Sequence, residues 1–381
     1  MHPVLFRIPV PRGLLAFLGN ADAIPIYSYG VMLGLSLVIG WYVTLGLCEK
    51  SGLDREQMAN CYVITAILAV LGSRVMFLAT NPSEFHGVSD FFALRGGGLV
   101  AYGGFLGGFL GSWAFLRWKK LRLLPWADAA VPSLATGLVV TRLGCYLFGC
   151  DYGRPLSSGA PAWLARLGTF PRWAEGLVGQ GTGSPAWIEH VQRGLVAPDA
   201  SHSLPVHPTQ LYESAVGAAI FALLVMVRKN QRFRGQLFFV ATFAYGLLRF
   251  LLELVRDDPE RGAVPIAAPR HLLVPVCLAL FAAAFCIALA DTIERMPLRR
   301  ICQVGSFLPA VWAALTLRPE PFAPAVHASL STSQFIGLSS ALVVAAFFWV
   351  HQRAASANPV AAMDVGSGVV KDADPADGDA D

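Results

Sequence analysis

The chain has 381 residues, of which 55% are hydrophobic and only 14% are charged, whereas charged residues make up about a quarter of an average soluble domain. This composition excludes an ordinary soluble enzyme and indicates a membrane protein. The formal net charge of +4 is small, and the basic residues form short clusters between apolar runs, so the sequence does not favour nucleic-acid binding.

In chain order, the sequence begins with a segment, Met1 to Ala23, that contains Arg7 and Arg12. No small-residue cleavage site follows a compact apolar core, so we expect no removable signal peptide. Apolar runs of roughly 17 to 23 residues then recur, each long enough to cross about 30 Å of hydrocarbon as a helix. We predict spanning helices at 26–48, 59–79, 99–117, 127–149, 209–227, 236–255, 272–291 and 334–351, with the shorter run 304–317 as a tilted span, a re-entrant segment or an interfacial helix.

Clusters of Lys and Arg in short loops predict the orientation of the helices, because such loops stay in the cytoplasm. The densest clusters lie at 117–122 and 228–234, an even number of crossings apart, and the basic residues at 50–55 and 295–300 agree with them. This assignment places the N-terminus and the long segment 150–207 outside the cytoplasm. We therefore predict a multi-pass membrane protein.

Two segments are predicted to lie outside the membrane. Residues 150–207 are rich in Gly, Pro, Trp and Ser and contain no lysine, which is typical of a folded outer loop. Residues 354–381 end in small and acidic residues that cannot bury a core, so we expect a disordered tail. The predicted division is 1–25 (outer segment), 26–149 (spanning helices one to four), 150–207 (periplasmic loop domain), 208–262 (helices five and six), 263–329 (one or two extra helices), 330–353 (last spanning helix) and 354–381 (acidic cytoplasmic tail).

Two arginines inside predicted spans stand out, because a charge in such a span costs a few kcal/mol and is a candidate for function. Arg142 lies about seven or eight residues before the outer end of its helix, and Arg249 lies about seven before the end of its own. Since a helix rises about 1.5 Å per residue, both should lie roughly 10 Å deep. Two forked guanidiniums at one depth can clamp a phosphate. Alternatively, Arg249 pairs with Glu253 one turn away, and Arg142 pairs with a buried carboxylate such as Glu213.

A glycine-rich stretch, Leu99-Val-Ala-Tyr-Gly-Gly-Phe-Leu-Gly-Gly-Phe-Leu-Gly111, opens the third predicted helix. Gly103, Gly107 and Gly111 recur at four-residue spacing, which is typical of close helix packing in membranes. Tyr102 stands one turn inside the outer boundary. It belongs either to the interfacial aromatic belt or to a site in which its hydroxyl points at a substrate.

The fifth predicted helix begins with His207-Pro-Thr-Gln-Leu-Tyr-Glu-Ser214. Pro208 is harmless early in a helix, because its missing N–H needs no partner there. A helix start does not require Gln210, Tyr212 and Glu213 together. The polarity of this turn therefore indicates the wall of a site.

Several motifs occur together in order: Tyr-Gly-Gly at 102–104, Arg-Leu-Gly at 142–144 followed by Gly153, His-Pro-Thr-Gln-Leu-Tyr-Glu at 207–213, and Tyr-Gly-x-x-Arg-x-x-x-Glu-x-x-Arg at 245–256. Their order and spacing resemble those of the prolipoprotein diacylglyceryl transferase family. The helix starts at 24–30 and 331–334 are similar to that family's first and last helix starts. The resemblance covers most of 20–262 and then 330–351. The predicted fold is an all-α polytopic membrane bundle of about seven family-like spanning helices, with 263–329 as an inserted helical segment and a periplasmic loop domain.

The resemblance implies transfer of an sn-1,2-diacylglyceryl group from phosphatidylglycerol to the lipobox cysteine of a preprolipoprotein, with release of glycerol 1-phosphate. The implied partners are those two substrates and membrane lipid, without a metal, an organic cofactor or nucleic acid. Arg142 and Arg249 would hold the head group and stabilise the departing phosphate. The predicted catalytic residues are Tyr102, Arg142 and Arg249, and the predicted substrate-binding residues are Arg142, Arg249, Tyr29, Gly103, Gly104, Gly144, Gly153, His207, Gln210, Tyr212, Glu213 and Glu253.

Four polar positions of the family differ in this chain. The family typically has His at Tyr102, Asn at Cys145, Asn at Phe148 and Glu at Cys150. These changes indicate a divergent branch and leave two alternatives open: a transferase with the same donor and another acceptor, or a non-catalytic protein that binds or flips phospholipid. Cys145 and Cys150 both face the oxidising side, and their spacing leaves a disulfide and two free thiols equally open.

Overall fold

The computed structural model describes residues 3–9, 23–84, 87, 91, 98–173, 183–258, 262–265, 267–318 and 326–366. Its helices are α1 (Ser28–Glu49), α2 (Arg55–Thr80), α3 (Ala101–Trp118), α4 (Leu123–Phe148), α5 (Ala162–Leu167), α6 (Pro185–Gln192), α7 (Thr209–Lys229), α8 (Gln236–Glu253), α9 (Arg270–Ala284), α10 (Met296–Gly305), α11 (Leu308–Thr316), α12 (Thr332–Ala357) and α13 (Pro359–Met363), with a 3₁₀ turn at Pro82–Glu84. The strands β1 (Val4–Pro9) and β2 (Ala23–Tyr27) form one antiparallel pair, and β3 (Ala267–Pro269) and β4 (His327–Ser329) form another. The predicted all-α polytopic class is confirmed.

Seven of the described helices are long and apolar enough to cross a membrane. They are α1, α2, α4, α7, α8, α12 and the extended helix Arg270–Thr292, in which α9 continues through a π-helical turn (Phe285–Leu289) and a 3₁₀ turn (Ala290–Thr292). The predicted third span is the 18-residue helix α3. Helix α3 is not among the seven, although it packs along α2.

Close helix packing organises the centre of the bundle. A Cβ atom on Gly107 of α3 would lie 3.1 Å from the Cα atom of Gly72 in α2, and Gly246 of α8 faces Gly337 of α12 in a similar way. This is the close approach that small residues at four-residue spacing permit. Helix α4 packs on α1 and on α7, and α8 packs on α7 and α12. We call the end at which α1 and α7 begin the outer end, after the predicted orientation, and the opposite end the inner end.

A buried carboxylate fixes the inner start of α8. Asp128 of α4 accepts hydrogen bonds from the backbone N–H groups of Gly235 (2.6 Å) and Phe238 (3.0 Å). Gly235 has a φ of 97°, in the left-handed region that glycine tolerates best. Asp128 therefore caps α8 from a different helix, whereas a capping side chain usually comes from the residue before the helix.

Residues 150–173 and 183–207 form a folded layer over the outer end. Helices α5 and α6 belong to this layer, and it has a separate small core of Tyr152, Phe170, Ala186 and Val206. A backbone bridge between Gly153 and Arg256 connects the layer to the end of α8. The folded outer loop predicted from composition is thus present in the described part, while residues 174–182 lie outside the described residues.

The segment 304–317, left open by the sequence, is part of a broken helical passage through the bundle. The Sγ atom of Cys286 lies 3.7 Å from both the Gln303 carbonyl and the Ser306 hydroxyl, so α10 passes beside the inner half of the extended helix. Helix α11 then packs back along α9, and β4 pairs with β3 at the outer start of α9. Two short helices thus return the chain to the outer end, because neither alone is long enough to cross about 30 Å.

The two ends of the chain contain structure that the sequence prediction did not describe. The outer N-terminal segment forms the hairpin of β1 and β2. The tail predicted to be disordered from residue 354 begins instead with the last turn of α12 and with α13, so that prediction is wrong for 354–363. The N–H of Arg234 donates to the Ala362 carbonyl (2.9 Å), a tertiary partner that composition does not reveal. The acidic residues 367–381 lie outside the described residues.

Candidate functional site

Two buried arginines meet at one carboxylate in the outer half of the bundle. Arg142 comes from α4, Glu213 from the first turns of α7 and Arg249 from α8. The Oε2 atom of Glu213 lies 3.0 Å from Nε of Arg142 and 3.1 Å from Nη1 of Arg249. The Glu213 side chain is only 3% exposed. The two guanidiniums are therefore held next to each other at a shared acceptor.

Three further residues close this arrangement into a ring. Arg249 pairs with Glu253 (2.7 Å), which lies 3.5 Å from Nη1 of Arg256. Arg256 pairs with Asp151 (2.6 Å), and Asp151 pairs with Arg142 (2.8 Å). We call Arg142, Glu213, Arg249, Glu253, Arg256 and Asp151 the charged ring. Three guanidiniums alternate with three carboxylates, so the ring is neutral as a whole.

A fourth carboxylate extends the ring on the side of the outer layer. Asp258 receives two hydrogen bonds from Arg256, at 2.7 and 2.6 Å. Burial by itself lowers the pKa of Arg256, but Asp258 and Asp151 outweigh it and raise that pKa above its usual range. Burial raises the pKa of Asp151, but Arg142 and Arg256 outweigh it and hold that pKa well below its usual range. Both residues are therefore charged at neutral pH.

Tyr102 reaches the ring through a serine on the last long helix. Its hydroxyl donates to Oγ of Ser333 (2.8 Å), and Nη2 of Arg249 donates to the same oxygen (3.3 Å). Ser333 lies in the first turn of α12, next to the capping box formed by Ser331 and Gln334. The proton of Tyr102 is thus directed at a fixed acceptor.

The polar start of α7 supports the turn that carries Asp151. Thr209 donates to the Asp151 carbonyl, and Gln210 donates to the Cys150 carbonyl. Asp151 has a φ of 57°, a left-handed conformation that is uncommon outside glycine. These contacts hold the Asp151 carboxylate beside Arg142 and Arg256. Gln210, a predicted substrate-binding residue, therefore has a positioning role in this structure.

Two predicted glycines allow close approach around the ring. A Cβ atom on Gly144 would lie 3.3 Å from the Cα atom of Tyr29, so α1 rests directly on α4 beside Arg142. Gly153 lies between His207 and Val255, where a Cβ atom would meet both at 2.7 Å. Tyr29, Gly144 and Gly153 thus lie at the edge of the site.

Four other predicted substrate-binding residues are not brought to the ring. The open sides of Gly103 and Gly104 face Gly72 and Ser73 of α2, which is the packing interpretation of the glycine stretch. Nδ1 of His207 lies 3.2 Å from the hydroxyl of Tyr212. Burial and the charge of Arg154 lower the pKa of His207. This pair lies beside Gly153 and Arg154, and a direct contact of these four residues with substrate stays a prediction.

Sequence reasoning did not assign roles to several residues of this site. Asp151 follows the fourth span directly, Arg256 is the last residue of the quoted motif at 245–256, and Asp258 lies two residues later. The sequence feature that could have identified them is the cluster of charged residues at the ends of the two predicted spans 127–149 and 236–255. Ser333 carries no such signal, because its role depends on contacts with residues more than 80 positions away.

Cys145 and Cys150 are free thiols. Their sulfur atoms and a carboxylate oxygen of Asp151 lie within 4.8 Å of one another, a spacing that could hold a metal ion. However, Asp151 is already paired with two arginines, and those guanidiniums disfavour a nearby dication. Contact with Cys145 and burial raise the pKa of the Cys150 thiol well above its ordinary value. The group does not fit a metal site, and Cys150 is a poor nucleophile.

Comparison with known proteins points to one family. The family model described as prolipoprotein diacylglyceryl transferase matches residues 17–290, which include the whole charged ring and the first part of the segment predicted to be inserted. Over 257 residues the chain is 28% identical to phosphatidylglycerol–prolipoprotein diacylglyceryl transferase 2 of Clostridium perfringens, covering 67% of this chain and 88% of that protein. It is 29% identical over 226 residues to the protein named phosphatidylglycerol–prolipoprotein diacylglyceryl transferase of Thermus thermophilus, covering 59% and 77%.

Proposed function

Because the chain belongs to the prolipoprotein diacylglyceryl transferase family, we propose that it transfers an sn-1,2-diacylglyceryl group from phosphatidylglycerol to the lipobox cysteine of a preprolipoprotein. The thiol sulfur attacks the glyceryl carbon that carries the phosphate. A carbon–sulfur bond forms, the carbon–oxygen bond breaks, and its electron pair leaves with the phosphate as glycerol 1-phosphate. The thiol releases its proton to solvent as it ionises, and the product is a thioether.

The observation that carries this proposal is the meeting of Arg142 and Arg249 at one carboxylate oxygen of Glu213. Carboxylate and phosphate oxygens suit the same forked donors. The arrangement is therefore preorganised for an anion, and preorganised donors stabilise charge that develops as a bond breaks. Among the described residues, Nη2 of Arg142 has no hydrogen-bond partner, and we assign this atom to the phosphate.

The ring also limits how strongly the site attracts an anion. Because its three guanidiniums are balanced by three carboxylates, a phosphate gains little from net charge. It gains instead from directed donors in a site with little water, where electrostatic interactions are stronger. We infer that the three carboxylates reduce the free-energy cost of burying the three arginines. When the donor lipid binds, its phosphate replaces a carboxylate in some of these ion pairs.

Tyr102 takes an orienting role in this mechanism. Its hydroxyl is already directed at Ser333, which also contacts Arg249. A tyrosine is a poor base, since its reference pKa is about 10 against about 6.5 for the histidine of the family. The acceptor thiol, with a reference pKa near 8.5, offers some thiolate by itself. We therefore assign Tyr102 and Ser333 to holding Arg249 and the lipid in place.

The chain is a multi-pass membrane protein, and we propose that it lies in the bacterial inner membrane with the charged ring near the outer leaflet. The basic clusters at 117–122 and 228–234 support this orientation. A reporter that works only outside the cytoplasm should be active when fused near residue 181 and inactive near Lys120 or Arg232. The reverse pattern would contradict the orientation.

Complementation tests the reaction. A bacterial strain depleted of its own transferase should grow when it carries this chain, and its lipoproteins should regain their mobility and the mass of a diacylglyceryl thioether. The matched control is Arg142→Lys at equal protein level, which should not rescue. If the unaltered chain accumulates in the membrane and yields no thioether, the proposed acceptor is wrong.

A second candidate uses the same donor and another acceptor. It is favoured by the family positions occupied here by Tyr102, Cys145, Phe148 and Cys150, three of which lie at the end of α4 close to Arg142. Its signature would be release of glycerol 1-phosphate from phosphatidylglycerol without lipoprotein modification. A protein that only binds or flips phospholipid would release none.

A further inference from the structure

A groove runs along the inner half of the bundle between α1 and α7. One wall is a single face of α1 that carries Val43, Gly46 and Lys50, and the other is a single face of α7 that carries Phe221, Val225 and Arg228. Spacings of three, four and seven residues place side chains on the same helix face. Both helices pack on α4, and neither packs extensively on the other. Pro132 of α4 lines the groove between them.

The two cations of the groove lie at the same end. Lys50 follows the last residue of α1, and Arg228 is the penultimate residue of α7. Arg228 uses Nη2 to cap the end of α1, with hydrogen bonds to the Leu47 carbonyl (3.3 Å) and to Oγ of Ser51 (2.9 Å). Its Nη1 atom is buried and has no hydrogen-bond partner among the described residues. Capping α1 therefore uses only one of the three nitrogens of this guanidinium.

Two carboxylates near this end are already occupied. Glu49 pairs with Arg55, and Asp128 accepts hydrogen bonds from Gly235 and Phe238. In the part of the chain that the structure describes, no carboxylate lies within 4 Å of Lys50 or of the Arg228 guanidinium. A buried donor without an acceptor is unfavourable. An anion would therefore stabilise this guanidinium, and the described residues do not provide one.

We propose that this groove binds one anionic phospholipid of the inner leaflet, with an acyl chain along the apolar walls and the phosphate at Arg228 and Lys50. The groove opens between two helices that face hydrocarbon, and its cations lie where the helices leave it. Basic pockets between spanning helices at the cytoplasmic surface suit lipid phosphates. A turn of the Arg228 side chain into the groove would bring Nη1, which is buried here, to that phosphate as its acceptor. This site is separate from the charged ring and does not depend on the proposed reaction.

The occupant follows from the shape of the site. Gly46 leaves the groove open, since a Cβ atom built on it meets no atom within 4 Å. An apolar slot with cations only at one end matches a chain with one anionic head. A second copy of this protein would need an apolar and acidic ridge of matching shape, and it is treated as an outcome of the test.

Native mass spectrometry of the purified full chain in detergent tests the charge of the groove. The probe is dioleoyl phosphatidic acid, and dioleoyl phosphatidylcholine is the zwitterionic control. We expect the double variant Lys50→Gln/Arg228→Gln to retain one phosphatidic acid fewer than the unaltered protein, or to bind it at least tenfold more weakly. The matched control, Arg117→Gln/Lys119→Gln, removes the same charge at the same end and should keep that lipid.

A second variant tests the apolar part of the groove without removing a charge. Gly46→Leu places its side chain in the open groove and should also abolish retention, while folding is preserved because leucine favours helix. Gly34→Leu is the matched control, since it lies on the same helix and also meets no atom within 4 Å. Thermal unfolding of both variants checks the fold.

Three results would overturn the proposal. The first is equal retention of phosphatidic acid by the unaltered protein, Gly46→Leu and the double variant. The second is loss of the lipid in Arg142→Lys instead, which would assign it to the charged ring. The third is a dimer that Gly46→Leu dissociates, with no bound lipid, which would make the groove an interface between two copies. None of these readouts uses turnover, so a failure of the proposed reaction leaves the test intact.

Discussion

At the outer end of the bundle, three arginines alternate with three carboxylates in the charged ring, whereas at the inner end Arg228 and Lys50 stand at an open groove without a carboxylate partner among the described residues. The ring supplies its own counter-charges, because its guanidiniums lie deep in the bundle and isolated charges there are costly. The groove lies at the membrane boundary, where lipid phosphates are available. The protein therefore neutralises the deep arginines itself, and we propose that a lipid phosphate neutralises Arg228 and Lys50.

The largest effect is expected from changing the shape of a ring donor while its charge is kept. Arg142→Lys and Arg249→Lys should each lower turnover by about 10² to 10³, the usual cost of losing one preorganised donor, because an ammonium cannot make the forked contact. Arg228→Lys at the inner end should leave turnover near that of the unaltered protein. The assay is thioether formation on a lipobox peptide with phosphatidylglycerol in detergent, at matched protein level.

The Arg249 variant also decides between two interpretations of that residue. Arg249 pairs with Glu253 within α8 and with Glu213 across helices. If Arg249→Lys accumulates normally and keeps near-full activity, the arginine serves only these pairs, and the phosphate clamp is wrong.

Removing the shared carboxylate should mainly affect stability. Glu213→Gln leaves Arg142 and Arg249 without their common counter-charge, and breaking a buried ion pair typically costs about 3 to 5 kcal/mol. Glu294 is the matched control, since it pairs with Arg232 at the inner end while its side chain is 74% exposed. Glu294→Gln should leave the unfolding temperature unchanged. Equal unfolding temperatures for both variants would contradict the balanced ring.

The pH dependence of the ring follows from Asp151. Its pKa in the folded protein is held below the ordinary value of about 3.9, so its pairing stabilises the fold above that pH and is lost as pH falls through the folded value. Asp151→Asn should therefore lower the unfolding temperature by the same amount at pH 5 and pH 8. A difference that shrinks between pH 6 and pH 5 would show that Asp151 titrates there.

Loss of the Tyr102 hydroxyl should have a smaller effect on turnover. If Tyr102 only orients Arg249 through Ser333, then Tyr102→Phe costs one hydrogen bond, which is about 1 kcal/mol or roughly fivefold in rate. Ser333→Ala should cost a similar amount, and the double variant should cost little more than either single one. Tyr102→Phe and Tyr102→His should be compared from pH 6 to pH 9. A loss beyond a hundredfold for Phe at every pH would indicate general acid–base catalysis instead.

The smallest effect concerns the two cysteines beside Arg142. Because Cys145 and Cys150 are both free, alkylation of the denatured protein without reductant should add two labels to the peptide that contains them. Their mutual contact and burial keep the Cys150 thiol protonated, so Cys150→Ser should change turnover little. A peptide that takes up no label would reveal a disulfide.

Much of the bundle could be predicted from the sequence, because hydrocarbon thickness sets the length of a spanning helix. The run predicted at 26–48 is the helix Ser28–Glu49, and the run predicted at 236–255 is Gln236–Glu253. The segment 304–317 could not be resolved in this way. A length rule does not distinguish a short span from a passage made of two short helices, and only the packing of α11 on α9 and the pairing of β3 with β4 do so.

The candidate site, like the bundle, was predictable from the sequence only in part. The sequence predicted that Arg142 and Arg249 lie at one depth, since helix rise converts residue number into depth, and it indicated Glu213 and Glu253 as possible partners. The packing of the helices was needed to show that Glu213 joins both arginines, that Asp151 and Arg256 close the ring, and that Ser333 links Tyr102 to Arg249. These contacts join residues that are far apart in the chain, and their geometry depends on how several helices pack together, which local pattern does not encode.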